Sequence, residues 1–535
     1  MKLRNIYKII ILASITTTVS CHRVTQKTAT NQKKPNLLII QTDEHTFKTL
    51  GCYRELMPKE QAYVWGEGIE VKTPNIDRIA HEGAICTNFY ASSPVCTPSR
   101  ASFQTGLYPI SAGAPINDMP MNPNLTTFAE ILRQDGYRTA YVGKWHLGGT
   151  PDIGHPYMQP GYAFGYLDRT YMFEGTHAKW IETVKEPNGI IAVNRTPKPD
   201  EKATYTTDYL TDKCLQILER DKNKPFCMMV SIPDPHSPDI AREPYQSMYK
   251  DLKVKMPKTM DSSLLANRPK WAIGGKNESG DFDPESVKAY FGMVKCIDDN
   301  VGRILKFLDD NKLTDNTIVV FTSDHGDLLF EHHRINKDLP YETSARIPFV
   351  IRYPNKIKNG KIIRKTYTTA DFAPTILGIM NAGEITGIEG INDATTFLNT
   401  ESKVESDRII YMTDSPFNEW TAATDGRYKL VLSCKETPWF FDLEKDPSEL
   451  INYYSHPEYK QMAQNFQKEL LRQMKLYKEP ALDLGYHYLL STDDKVTYVS
   501  PYEGKSIQDI PKIEKEVLDQ LRLNIHKKCY RSLLK

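Results

Sequence analysis

The chain carries almost no net charge: 68 basic and 67 acidic residues leave +1 at neutral pH. That balance excludes a global field that would draw the protein to nucleic acid or to an anionic membrane, so any bound anion must be held by a local site. Scaffold-forming cysteine spacings are missing as well. None of the nine cysteines forms a C-x-x-C pair and no H-E-x-x-H stretch is present, so neither a zinc ribbon nor a metalloprotease helix is encoded. Setting Cys21 and Cys96 aside leaves seven, an odd number that gives no support to a disulfide framework. Internal repeats, low-complexity tracts and apolar runs long enough to cross a bilayer are absent too. What is there is a 535-residue chain of ordinary apolar and charged content, long enough for one large domain and a smaller one.

The first residues, MKLRNIYKIIILASITTTVSC, place Lys2, Arg4 and Lys8 before the apolar run Ile9 to Ile15, and small residues then lead to Cys21. This is the shape of a signal peptide over residues 1–21, ending at a lipoprotein cleavage site with the lipid carried by Cys21. Thr18 stands where such sites usually have Leu, so periplasmic export without an anchor is the alternative. Residues 22–34 are polar and read as a flexible tether. The expected location is therefore the periplasm or outer membrane of a Gram-negative bacterium.

Beyond the tether, short apolar runs alternate with helical patterns. Asn36 to Ile40, Arg138 to Val142, Phe226 to Ile232, Thr317 to Thr322 and Pro348 to Arg352 read as strands, the continuous apolar ones buried on both faces. Helices are predicted from Thr73-Pro74 to Gly83, from about Thr127 to Gln134, and over Lys202 to Arg220, Glu285 to Asn311 and Asp371 to Met380. Pro151 to Trp180, rich in Gly, Tyr and Pro, has no period and reads as a long functional insertion; Pro238 to Phe282 is irregular too. The alternation predicts an α/β fold, a large mostly parallel sheet sandwiched by helices, over residues 35–403. From Val404 the pattern changes. Arg408 to Thr413, Trp420 to Ala423, Arg427 to Leu432 and Trp439 to Asp442 predict a small antiparallel sheet in a C-terminal subdomain, residues 404–535, with a helix over Pro457 to Tyr477.

Four of the predicted strands end in polar clusters: Thr42-Asp43-Glu44-His45, Gly143-Lys144-Trp145-His146, Pro233-Asp234-Pro235-His236 and Ser323-Asp324-His325-Gly326-Asp327. In parallel sheets ligands bind off these carboxyl ends. Asp43-Glu44 and Asp324-His325 supply hard oxygen donors and one imidazole, a set suited to Ca²⁺ or Mg²⁺, although an isolated acidic pair serves equally well as a cap or turn. A further stretch, Cys96-Thr97-Pro98-Ser99-Arg100, precedes a helical pattern with Pro98 in its first turn. A cysteine at the positive end of a helix has a lowered pKa and attracts anions, whereas a lone Cys-x-Pro is more often a buried structural cysteine.

Two longer patterns decide between those readings. Cys96-Thr97-Pro98-Ser99-Arg100 continues, after four residues, to Thr105-Gly106, and Gly136-Tyr137-Arg138-Thr139 leads through Gly143-Lys144-Trp145-His146. Together they resemble the signatures of the type I sulfatases, C-x-P-S-R-x4-T-G and G-Y-x-T-x-x-x-G-K-W-H. The resemblance implies the alkaline phosphatase-like fold, hydrolysis of sulfate monoesters, and oxidation of Cys96 to formylglycine by a formylglycine-generating or anaerobic sulfatase-maturing enzyme. It implies Ca²⁺, with Mg²⁺ possible, held by Asp43, Glu44, Asp324, His325 and an oxygen of modified residue 96; Glu44 departs from the Asp or Gln commoner there. It also implies that Lys144, Lys337 and Arg100 supply positive charge. One hydroxyl of the aldehyde hydrate attacks sulfur, His236 protonates the leaving oxygen, and His146 takes a proton from the second hydroxyl so that sulfate leaves. A sulfated carbohydrate is the expected substrate, and Arg169, His177 and Trp180 in the insertion are candidates for stacking on sugar rings. Two alternatives stay open: a formylglycine-dependent phosphonate or phosphodiester hydrolase, and a non-catalytic protein that binds sulfated glycans. A zinc site from His325, His332 and His333 is disfavoured for want of a zinc motif.

Overall fold

A computed structural model describes residues 33–117, 119–148, 164–175, 177–185, 191–196, 203–275, 277–401, 403–404, 406–414, 420–433, 436–479, 488–490 and 496–498. The signal peptide and Cys21, most of the predicted tether, and residues 151–163 and 176 of the predicted insertion lie outside the described residues.

The frame is a nine-stranded sheet. In chain order its strands are β1 (Asn36–Asp43), β2 (Ala84–Cys86), β3 (Arg138–Lys144), β4 (Asp168–Phe173), β5 (Phe226–Pro235), β6 (Thr317–Ser323), β7 (Phe349–Arg352), β8 (Lys361–Ile363) and β9 (Lys403–Val404), and across the sheet they run β9-β8-β2-β7-β6-β1-β5-β3-β4. Every pairing is parallel except the two made by β7. The sheet at the centre is buried on both faces, and the alternation of side chains along each strand decides which core each residue joins. Leu37, Ile39, Ile318, Val320 and Met229 enter one apolar cluster with Phe103, Phe128 and Phe372. Leu38, Ile40, Val319, Phe321 and Val230 enter the opposite one with Leu210, Ile297, Val301 and Leu305.

The helices bear out most of the predicted ones: α1 (Pro74–His81), α2 (Cys96–Thr105), α3 (Phe128–Gln134), α4 (Thr206–Asp221), α5 (Pro284–Asp310), α6 (Glu342–Ala345) and α7 (Phe372–Met380). Thr127 caps α3 by accepting from the Glu130 N–H, and Asp283 caps α5 through Glu285. The predicted insertion is in part regular structure. Its residues Asp168–Phe173 form the edge strand β4 and Trp180 begins a strand, Trp180–Lys185, which pairs outside the main sheet. Backbone pairing overrode the weak local signal of a Gly- and Tyr-rich stretch.

After β9 come four antiparallel strands in sequential order, β10 (Ile410–Thr413), β11 (Thr421–Thr424), β12 (Tyr428–Ser433) and β13 (Glu436–Asp442). One face packs on helix α8 (Lys460–Leu476), with Leu430, Leu432 and Phe440 against Phe466, Leu470 and Met474. On the other face Ile410, Met412, Val431 and Phe441 meet Tyr90, Leu339 and Tyr341. That second face therefore backs the segment that carries Lys337. From Pro35 onward the described residues form one compact unit.

Candidate active site

The carboxyl ends of β1, β3, β5 and β6 lie side by side, because β3, β5, β1 and β6 are consecutive parallel neighbours. Their polar ends thus meet at one edge, and α2 points its N-terminus there. Every residue of α2 is buried, and Gly106 ends it in left-handed conformation at φ 76°. Cys96, the first residue of α2, places Sγ 3.1 Å from His325 Nε2, 3.2 Å from Lys337 Nζ and 3.7 Å from Asp43 Oδ1. Burial and Asp43 push the Cys96 thiol up, but Lys144, Lys337 and His325 outweigh them and hold it well below the ordinary thiol range.

Two glycines let the edge close. A Cβ on Gly143, whose φ is 104°, would stand 1.9 Å from the Ser231 carbonyl oxygen of β5, and one on Gly326 would stand 1.9 Å from the carbonyl oxygen of Thr343 in α6. Glu44 and His146 pay for their positions in backbone strain, at φ 62° and 58°.

Arg100 lies one turn into α2 and ties the carboxylates together. Its Nε donates to Asp324 Oδ2 at 2.7 Å, its Nη2 is 3.5 Å from Asp43 Oδ2, and its Nη1 donates to Ser231 Oγ and to the Lys144 carbonyl. Lys144 Nζ binds Asp43 Oδ2. His236 Nε2 is 3.0 Å from Lys337 Nζ and 3.0 Å from Glu44 Oε2. His146 is half-buried, and its carbonyl accepts from Thr97 Oγ1 beside Cys96. The neighbour His45 stays out of the site: Thr42 and Thr49 take its two nitrogens, and burial pushes its pKa down to about 3. His332 and His333 do not join His325, since His332 stacks on Tyr341 and His333 contacts the Asp261 carbonyl.

Asp43, Cys96, Asp324 and His325 each bring a ligand atom within 4.8 Å of the others. Burial raises the Asp324 carboxyl, whereas Asp43 is held low by Lys144 against its own burial, and Asp324 lifts His325 to about 9 in spite of burial. Glu44 stands beside this group, on the His236 and Lys337 side. It is fully buried, His236 and Lys337 draw its carboxyl down to about 2 against desolvation, and neither carboxylate oxygen accepts a well-formed hydrogen bond. The buried carboxylates of Asp43, Glu44 and Asp324, with both Glu44 oxygens orphaned, and one imidazole fit a hard divalent cation.

One residue of the site was not in the predicted constellation. His177 follows β4, stacks face to face on His236 at 3.7 Å, and sets Nε2 2.9 Å from Lys144 Nζ. It also groups with Asp43 and His236 as a possible ligand set, but the Lys144 ammonium already sits between Asp43 and His177. The sequence named it as a candidate for stacking on sugar rings, without its contacts to Lys144 and His236. The same stretch supplied two other sugar-stacking candidates, and Trp180 is not available for that role: it is 8% exposed and packs edge-on against Tyr205.

A family profile described as Sulfatase matches residues 35–382, and one described as N-sulphoglucosamine sulphohydrolase, C-terminal, matches residues 330–476. The chain is 28% identical over 523 residues to an N-acetylglucosamine-6-O-sulfatase of Bacteroides thetaiotaomicron, covering 84% of this chain and 87% of that one. It is also 28% identical to an ulvan-active sulfatase of Formosa agariphila, over 82% of this chain and 81% of the relative. A protein solved in complex with its substrate D-glucosamine-2-N,6-O-disulfate superposes with a TM-score of 0.67 at 25% identity, over 83% of this chain and 98% of its own. The sheet, the buried helix headed by Cys96 and these matches place the chain in the sulfatase family, as a hydrolase of sulfuric esters.

Proposed function

We propose that the protein removes O-sulfate groups from carbohydrates, using formylglycine made from Cys96 and a calcium ion. The observation that carries this is Cys96 at the head of a buried helix, 3.1 to 3.2 Å from His325 and Lys337 and grouped with the buried carboxylates of Asp43 and Asp324. Thiol chemistry needs no such oxygen-rich surroundings, whereas a metal-bound oxyanion does. The carbohydrate follows from relatives named as sugar sulfatases and from the neighbour with a glucosamine disulfate.

Asp43, Glu44, Asp324 and His325 would hold the cation, which when bound supplies charge to neutralise a sulfate oxygen and the oxygen on residue 96. The oxidised residue 96 would supply an oxygen nucleophile. Lys144 and Lys337 bracket the position of the sulfate and offset its charge. Arg100 keeps Asp43 and Asp324 at the spacing the site requires. His236, with Lys337 against its Nε2, gives a proton to the departing sugar oxygen, and His146 takes the proton from the second hydroxyl of residue 96. A maturing enzyme provides the oxidation. Residues 1–21 export the chain, with Cys21 as a possible lipid site, to meet sulfated glycans outside the cytoplasm; residues 35–403 form the catalytic part and 404–535 a supporting one.

Co-expression with and without a maturing enzyme tests the reading. The peptide containing Cys96 should show the mass of the aldehyde in active protein, and Cys96→Ser should lose turnover by on the order of 10³-fold or more. Full sulfatase activity in protein whose Cys96 peptide is unmodified would overturn it.

A further inference from the structure

The hydrogen-bond valence of His177 assigns it a role that none of the sequence motifs contains. Its Nε2 lies 2.9 Å from Lys144 Nζ. Asp43 Oδ2 is farther, at 3.5 Å, and the Lys144 ammonium, the nearer partner, has donors only, so His177 Nε2 accepts from Lys144. The ring proton is then on Nδ1. No hydrogen bond to Nδ1 exists among the described residues, and the side chain is 32% exposed, unlike those of Asp43, Lys144 and Asp324, which are fully buried. One ring face is taken by the stack on His236, at 3.7 Å and an interplanar angle of 5°. The ring cannot rotate without breaking both that stack and the Lys144 contact, so its free N–H is held in one direction.

We propose that His177 Nδ1–H is a substrate-binding donor that recognises an oxygen of the sugar next to the sulfated position. Nε2 faces Lys144, one of the cations assigned to the sulfate, so the opposite nitrogen addresses the carbohydrate side of the ester. His177 is thus a specificity-determining residue, which rests on the glycan sulfatase reading above. An aryl sulfate has no hydroxyl or ring oxygen to meet it.

Two amide replacements separate the nitrogens. His177→Asn keeps a donor near the position of Nδ1 and loses the contact to Lys144; His177→Gln does the reverse; His177→Phe keeps the stack and loses both. Steady-state kinetics on a 6-O-sulfated amino sugar and on 4-nitrophenyl sulfate, with melting temperatures as a fold control, should show kcat/KM on the sugar falling about tenfold in His177→Gln and His177→Phe. His177→Asn should retain most of it, and the loss on the aryl sulfate in His177→Gln should be under about threefold. Equal losses on both substrates, or no loss on the sugar in His177→Gln, overturn the proposal. Calorimetric binding of the same sugar to Cys96→Ser protein, with and without His177→Gln, needs no turnover. If binding weakens about tenfold there while wild-type protein releases no sulfate, the His177 contact stands and the hydrolase reading falls; unchanged binding overturns the contact.

Discussion

Two buried charge clusters stand a few residues apart in this chain, one ending at Lys337 and the other starting at Glu342, and they are built to opposite plans. In the second, Lys429 Nζ contacts Glu342 Oε1 at 2.6 Å, Glu449 Oε1 at 2.8 Å and the Pro340 carbonyl at 2.7 Å, so its three donors meet three acceptors. Glu342 also receives the Tyr90 hydroxyl, and its own N–H donates to Glu449 Oε2. The cluster is closed, and it ties β12 to the start of α6. In the first, Glu44 has two carboxylate oxygens without a well-formed hydrogen bond, and Arg100 Nη2 has none either. A buried charge left open in this way costs stability unless a ligand completes it. The difference separates charges that hold the fold from charges that await a partner.

The comparison breaks most sharply at its two lysines. Lys337→Met should lower kcat/KM by on the order of 10²–10³-fold, because it removes charge that offsets the sulfate, and should shift the melting temperature less than Lys429→Met, because Glu44 keeps His236 as its nearer partner. Lys429→Met should do the opposite. It strands two buried carboxylates, so a loss of about 3–5 kcal/mol is expected in chemical denaturation, with added calcium giving no specific recovery. A Lys429→Met protein as stable as wild type would show that the second cluster is not structural.

Divalent ions provide the next contrast. At a hundredfold excess over Kd, calcium should stabilise wild-type protein by about 2.7 kcal/mol, read as a rise in melting temperature that a chelator reverses. Glu44→Gln together with Asp43→Asn should abolish the rise, whereas Glu449→Gln should leave it intact. Titrating magnesium in parallel decides between the two ions.

The smallest effect is in pH. Burial, aided by the Glu342 charge, raises Glu449 to about 7, above its value in an unfolded chain. Its contribution to stability is therefore fully present below the unfolded pKa and is lost as pH rises from about 4.5 through about 7. Glu449→Gln should flatten the fall in melting temperature between those values; an unchanged slope would assign the pH dependence to other groups.

Much of the site was legible beforehand because strand ends carry it. The runs Asn36 to Ile40 and Thr317 to Thr322 announce buried parallel strands, and the residues that follow them, Asp43, Glu44, Asp324 and His325, converge since β1 and β6 are neighbours. Cys96 was readable from its motif and from Pro98 in the first turn of α2. His177 was named only as a sugar-stacking candidate, and its place against Lys144 was not legible, because the stretch that delivers it has no period and reaches the site only by pairing β4 to β3. Glu342, Lys429 and Glu449 were equally hidden: each looks like a surface charge until the antiparallel sheet covers it. The strand β7 runs against its neighbours, which its apolar pattern has no means of announcing.

By itself the sequence determined the strand and helix segments, the edge where polar ends gather and the residue at the head of α2, since periodicity, prolines, glycines and short motifs act over a few residues. Only the tertiary structure decided which charges are satisfied. Hydrogen-bond valence and desolvation depend on atoms brought together across hundreds of residues, as with Lys337 on Cys96, Lys429 between Glu342 and Glu449, and His177 pressed between Lys144 and His236.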